Sequence, residues 1–158
     1  ADLAAKFPDT PVVLDHIGAP LAVGIYAGKR DEVFAHWKRN LAELSRRPNV
    51  SVKLGGLAMH LFGFDLDAGH RAKPASSEEL ATLWRPYIET CIELFGVDRC
   101  MFESNFPVDK RGVSYAVVWN AFKRLASGAS EAEKAALFRE TACRFYRLKL
   151  DSPQFQAR

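Results

Sequence analysis

The sequence predicts an α/β fold in which parallel strands alternate with helices, and three observations carry that reading. Three short runs, over 11–15, 50–54 and 99–104, read as strands, and the first, Pro11-Val12-Val13-Leu14-Asp15, is β-branched without polar alternation, as in a strand buried on both faces. Each interval between them holds one segment of helical period, the rhythm of βαβ units and a parallel sheet. Each run also ends in small or polar residues with Gly or Pro: Asp15-His16-Ile17-Gly18-Ala19-Pro20, Lys53-Leu54-Gly55-Gly56, and Glu103-Ser104-Asn105-Phe106-Pro107. The carboxyl ends of parallel strands are where α/β proteins gather their chemistry.

Taken in order, residues 3–7 have helical spacing, and Pro8-Asp9-Thr10 ends them. Pro11-Val12-Val13-Leu14-Asp15 makes the first strand. Gly18 permits a tight exit and Pro20 has no N–H to pair, which leaves His16 at the strand's mouth. Residues 21–30 form a loop, interrupted by Gly24, Ala27 and Gly28, that carries Tyr26 toward a pocket. Asp31 is expected to cap a helix whose apolar face is Val33, Phe34, Trp37, Leu41 and Leu44, with His36 on its surface. Pro48-Asn49 ends that helix, and Val50 to Leu54 follow as the second strand.

Residues 57–74 exceed the usual connection of about 4–6 residues, which suggests a lid or binding loop. His60, Asp65 and His70 within it fit no metal-ligand spacing, so a flexible, solvated loop is the expectation. Ser76 and Glu79 form a capping box that opens a helix with Leu80, Leu83, Trp84, Tyr87, Ile88, Cys91 and Phe95 inward. Pro86 is expected to kink or split it, and Gly96 to stop it. After the third strand, a helix over 113–125 is expected to bury Tyr115, Val118, Trp119 and Phe122. Ser130 with Glu133 makes a second capping box, opening a last helix with Leu137, Phe138, Ala142, Phe145 and Tyr146 inward. Residues 1–150 read as one partial domain and 151–158 as a frayed tail.

With 158 residues, 48% hydrophobic and 26% charged, the composition is that of an ordinary soluble domain. No run approaches the roughly 18–20 apolar residues of a membrane helix, so no membrane partner is expected. A net charge of +3, scattered among acids, argues against nucleic acid. Cys91, Cys100 and Cys143 sit in apolar surroundings and read as buried thiols of a reducing, cytoplasmic compartment.

The segment Cys100-Met101-Phe102-Glu103-Ser104-Asn105-Phe106-Pro107 resembles a late strand of the amidohydrolase-related family. These are TIM-barrel hydrolases that include lactonases acting on sugar and dicarboxylic lactones. Their motif runs apolar-apolar-Gly-Ser-Asp-Trp-Pro; here Glu103 stands for Gly, Asn105 for Asp and Phe106 for Trp. Asp15-His16-Ile17-Gly18 is similar to the family's Asp-His-x-Gly, and Lys53-Leu54-Gly55-Gly56 to its Lys-Leu-Ser-Gly, with Gly55 in the Ser position. Thr141-Ala142 stands where the family has Asn-Ala, and the resemblance runs from Pro11 to Leu148. A (β/α)8 barrel takes about 250 residues. The resemblance therefore implies the C-terminal half of a TIM barrel, with the family's first-strand His-x-His pair in the missing half.

That resemblance marks His16, Asn105 and Glu103 as catalytic candidates. It implies a divalent metal such as zinc in the full-length enzyme, with His16 a ligand only if the N-terminal half supplies the others. Because Asn105 replaces the Asp, no metal is expected for this chain alone. Asn105 has no useful basicity, yet it can orient a water or donate to an oxyanion. On an extended strand Glu103 shares its face and lies about 7 Å deeper. Glu103 then either replaces the missing acid or anchors a buried ion pair, with Lys53 or Arg99 as its partner. Lys53 either snorkels to solvent or binds an anionic substrate; Ser104 and Tyr26 are the other substrate-binding candidates.

The functional expectation is an amidohydrolase-like hydrolase for a lactone, an amide or a related small carboxylated substrate, with decarboxylation the neighbouring chemistry. The alternative is a catalytically silent barrel half that serves as a binding or assembly module. A nucleotide-binding open sheet is disfavoured, since no Gly-rich phosphate loop follows any strand. The expected partner is a small-molecule substrate, and the unpaired edges of a half barrel also predict a homo-oligomer without activity.

Overall fold

A computed structural model describes residues 1–149. Helix α1 (Asp2–Lys6) leads into β1 (Val12–Leu14), α2 (Arg30–Ser45), β2 (Val50–Leu54), α3 (Ser77–Phe95), β3 (Cys100–Phe102) and α4 (Tyr115–Leu125). The chain then runs through α5 (Glu131–Ala135), a π-helical turn (Ala136–Glu140) and α6 (Thr141–Tyr146). The three strands form one parallel sheet in the order β1-β2-β3, with Leu14 beside Val52 and Leu54 beside Phe102. The expected α/β half barrel of alternating parallel strands and helices is what the chain builds.

The register decides which face is core. Val50, Val52 and Leu54 have no exposed surface and point at the helices. Phe102 continues that face, stacking on Phe122 of α4 at 4.5 Å and packing on Phe138 at 4.8 Å. Lys53 and Met101, which pair in register, lie on the opposite face, and Glu103 follows them there by the alternation of the strand. Arg99 stands at the other end of β3, donating to the carbonyls of Phe95, Ser45 and Arg47 at 2.9–3.0 Å. It is therefore no partner for Glu103, because the length of the strand separates them.

Several local expectations need correction. The N-cap of α2 is Lys29, and Asp31 sits inside the first turn, where its charge meets the helix's positive end. Pro86 does not split α3, which runs unbroken from Ser77 to Phe95 with Pro86 on its exposed face. At the start of α3 Ser76 accepts from Glu79 N–H, but the Glu79 carboxylate turns to Arg71 at 2.6 Å, so the reciprocal box closes only at Ser130 and Glu133. Tyr115 is 53% exposed and Tyr146 45% exposed, because α4 and α6 bury other faces. The stretch 57–74 is not solvated throughout: Leu57, Phe62 and Leu66 are buried and pin it over the core. Cys91 and Cys100 are buried and Cys143 half-buried. Burial pushes the Cys91 and Cys100 thiols up, Cys100 to about 12. The expected frayed tail, 151–158, lies outside the described residues.

Candidate active site

The site begins where β1 stops. After Leu14 the chain turns through Asp15–Gly18, and His16, Ile17, Gly18 and Ala19 all take positive φ, between 46° and 78°. A β-branched Ile in the left-handed region is strained, so something must hold it. Ile17 is fully buried, and its carbonyl accepts a 2.7 Å hydrogen bond from the Trp37 indole of α2. This anchoring turns His16 toward β3.

Glu103 receives it. The Glu103 carboxylate accepts from the His16 backbone N–H at 3.2 Å and lies 2.5 Å from His16 Nδ1. Its second oxygen is 3.6 Å from Lys53 Nζ, which also reaches Asp15 Oδ1 at 3.0 Å. Burial works to lower the Lys53 ammonium pKa, but hydrogen bonds to Asp15 and Tyr146 and the Glu103 charge outweigh it, and the net shift is upward. Of the two readings for Lys53, the structure places its charge against two carboxylates rather than leaving it open to an anionic substrate.

Glycines make room for this cluster. A Cβ at Gly55 would overlap the Glu103 carbonyl oxygen and Cγ, and one at Gly56 would stand 2.6 Å from His16 Nδ1. The two positions where the chain departs from the motif it resembles, Gly55 and Glu103, therefore stand against each other.

Asn105 does not share the face of Glu103 as an extended strand would require. β3 ends at Phe102, and Asn105 has φ 52°. That reversal sends its side chain to Asp109, with Asn105 Nδ2 donating to Asp109 Oδ1 at 2.8 Å. Asp109, 1% exposed, is with Glu103 one of the two acids the sequence offers beside Asn105, and its spacing of four residues from Asn105 is the signal that pairs them. Burial pushes its carboxyl up to about 6, against hydrogen bonds from Asn105 and the Ala58 backbone and the nearby His16, while the Glu103 charge adds to the rise. Ser104 is spent locally, its hydroxyl accepting from Phe106 N–H at 3.4 Å ahead of Pro107.

His16, Glu103, Lys53 and the Asn105–Asp109 pair are therefore brought to one rim, the carboxyl ends of the strands. Tyr26 is not among them. It lines a separate, mainly apolar groove of about 590 Å3 with Leu14, Leu21, Val33, Trp37 and Leu41. For a metal, the fit fails within this chain: among the described residues no three His, Cys, Asp or Glu side chains stand close enough to hold an ion. Catalytic zinc takes three protein ligands, and among the described residues His16 offers one on this rim, through Nε2, since a carboxylate on Nδ1 is compatible with ligation by the other ring nitrogen. No helix among the described residues is long and apolar enough to cross a membrane.

Comparison with known proteins identifies the family of the chain. The family profile described as Amidohydrolase matches residues 1–148. An uncharacterized protein of Sinorhizobium fredii, y4mH, is 38% identical over 147 residues, covering 93% of this chain and 42% of that protein. The L-fucono-1,5-lactonase of Burkholderia multivorans is 34% identical over 138 residues, covering 87% of this chain and 43% of the lactonase. A crystal structure of a B. multivorans amidohydrolase with bound HEPES superposes with a TM-score of 0.77 at 32% identity, over 94% of this chain and 48% of that one. A second structure of an amidohydrolase from that organism carries bound zinc and superposes with a TM-score of 0.75. The chain spans about half the length of the relatives it matches.

Proposed function

The chain belongs to the amidohydrolase family, and we propose that it supplies the late-strand rim of a hydrolase acting on a lactone, an amide or a related small carboxylated substrate. The observation that carries this is the 2.5 Å contact between His16 Nδ1 and Glu103 Oε1. An ionised carboxylate only accepts, so it selects the tautomer with the proton on Nδ1 and leaves the Nε2 lone pair bare. That is the arrangement of a general base oriented by a third group.

For a lactone the step balances as follows. Water attacks the carbonyl carbon as its proton passes to His16 Nε2, and Glu103 offsets the imidazolium charge that develops. Collapse of the tetrahedral intermediate breaks the ring C–O bond. The proton returns from Nε2 to the leaving alkoxide, giving a hydroxy acid. Lys53, 3.6 Å from the second Glu103 oxygen, balances the Glu103 charge. Asn105 stands where the family motif has its acid and contributes a neutral hydrogen-bonding group. No step is routed through a metal, since these residues alone do not fit one.

The test is a lactone panel that includes L-fucono-1,5-lactone, run with metal analysis on the gene's complete product. Turnover abolished by His16→Ala supports the reading. No turnover of any lactone or amide by the parent overturns it and leaves the binding-module alternative.

A further inference from the structure

We infer that Asp109 is a positioning residue for Asn105, holding the nitrogen end of its amide so that the oxygen, Oδ1, is what the site presents to substrate at the position of the family motif's acid. This deepens the proposed function and rests on the rim it describes. Asn105 and Asp109 are tied twice: Nδ2 donates to the carboxylate at 2.8 Å, and Asp109 N–H donates to the Asn105 carbonyl at 3.2 Å. Asp109 is itself fixed, since its backbone carbonyl accepts from Gly112 and Val113 N–H at 3.1 Å and its side chain accepts from the Ala58 backbone. A side chain 1% exposed and held this way does not reach substrate itself. It acts through the amide it grips.

The orientation of an amide is ordinarily ambiguous. Here the partner settles it, because a carboxylate accepts and only Nδ2 can donate. Oδ1 then points away from Asp109, and no side chain or backbone group donates to it among the described residues. The chemistry explains the arrangement. Two carboxylates beside one another resist sharing a charge, and Glu103 already occupies the rim. An acid at 105 would stand against both Glu103 and Asp109; an amide there gives an acceptor without adding a further negative charge. Oδ1 suits a donor such as the attacking water or a substrate hydroxyl.

Two arms test this on the gene's complete product. In the first, asparagine-selective 15N labelling follows the Asn105 side-chain amide. Its hydrogens exchange slowly in the parent, quickly in Asp109→Ala, and slowly again in Asp109→Asn, whose amide oxygen restores the acceptor. In the second, kcat is measured on a lactone the parent hydrolyses. Asp109→Ala lowers it about 10- to 100-fold with KM little changed, the scale seen for outer-shell partners. Asn105→Ala gives a similar loss, and the double variant loses no more than either alone. Additive losses, or an Asn105 amide that exchanges freely in the parent, overturn the inference. Should the parent hydrolyse no lactone, the functional reading falls, and amide exchange alone decides this one.

Discussion

One oxygen of Glu103 holds both the ring and the main chain of His16, 2.5 Å from Nδ1 and 3.2 Å from the backbone nitrogen, across 87 positions of sequence. If that carboxylate sets the tautomer, its charge matters beyond its shape. Glu103→Gln keeps an acceptor for Nδ1–H but removes the charge that offsets a forming imidazolium. We expect kcat to fall about 10- to 100-fold. Imidazole 15N shifts should show the proton on Nδ1 of His16 in the parent and a mixture of tautomers in Glu103→Ala.

Restoring the family's Ser at position 55 should damage the cluster it neighbours. The new Cβ would overlap Glu103 Cγ and its carbonyl oxygen, and the backbone oxygen cannot swing aside as a side-chain end would. Gly55→Ser should therefore destabilise by about 1–3 kcal/mol, the usual cost of overpacking. Pairing it with Glu103→Gly removes Cγ and should recover part of the loss. Urea midpoints of the two single variants and the double variant measure the coupling, and simple additivity would show that the two positions are not coupled.

How much of this was legible follows from what each residue depends on. β2 was read to the residue, over 50–54, because its alternate side chains are all fully buried and its apolar pattern is local. His16 at a strand mouth was legible from Gly18 and Pro20. The placement of Asn105 was not, since it rests on a positive φ at a non-Gly residue, which no apolar pattern encodes. Once that turn is known, the i to i+2 rule linking it to Glu103 lapses and the i to i+4 pair with Asp109 takes its place. Arg99 and Lys53 were equal candidates for Glu103 by charge alone. Only the direction of the strand separates them, one cation at its start and the other across from its end.

Asp109 should make stability depend on pH in a direction opposite to a salt-bridged acid. Its folded pKa stands at about 6 against an ordinary 3.8, so between those values the folded chain holds a proton that the unfolded chain has lost. Stability from this group is full below about pH 4 and falls as pH rises through about 6, by about 3 kcal/mol in total. Asp109→Asn should flatten that part of the profile. Denaturation midpoints at pH 4.5 and 7 in both proteins check it, and an unchanged difference between the two pH values would show that the group does not titrate there.

The final prediction concerns the 158 residues by themselves. Among the described residues β1 and β3 each pair only with β2, so each presents one unpaired backbone edge. Beside β1 lies the apolar groove lined by Leu14, Val33, Trp37 and Leu41, with Ile25 at 78% and Leu21 at 43% exposure close by in sequence. Open edges next to exposed apolar surface recruit further chains. We therefore expect these residues, expressed alone, to self-associate, with a second copy seated against β1. Sedimentation velocity should show dimers or larger species that dissociate on dilution. Leu21→Lys and Ile25→Lys should shift the distribution toward monomer at little cost in stability, because both side chains are already exposed in the single chain. A monodisperse monomer that melts cooperatively would show that the sheet needs no further strand, and the expectation would fall.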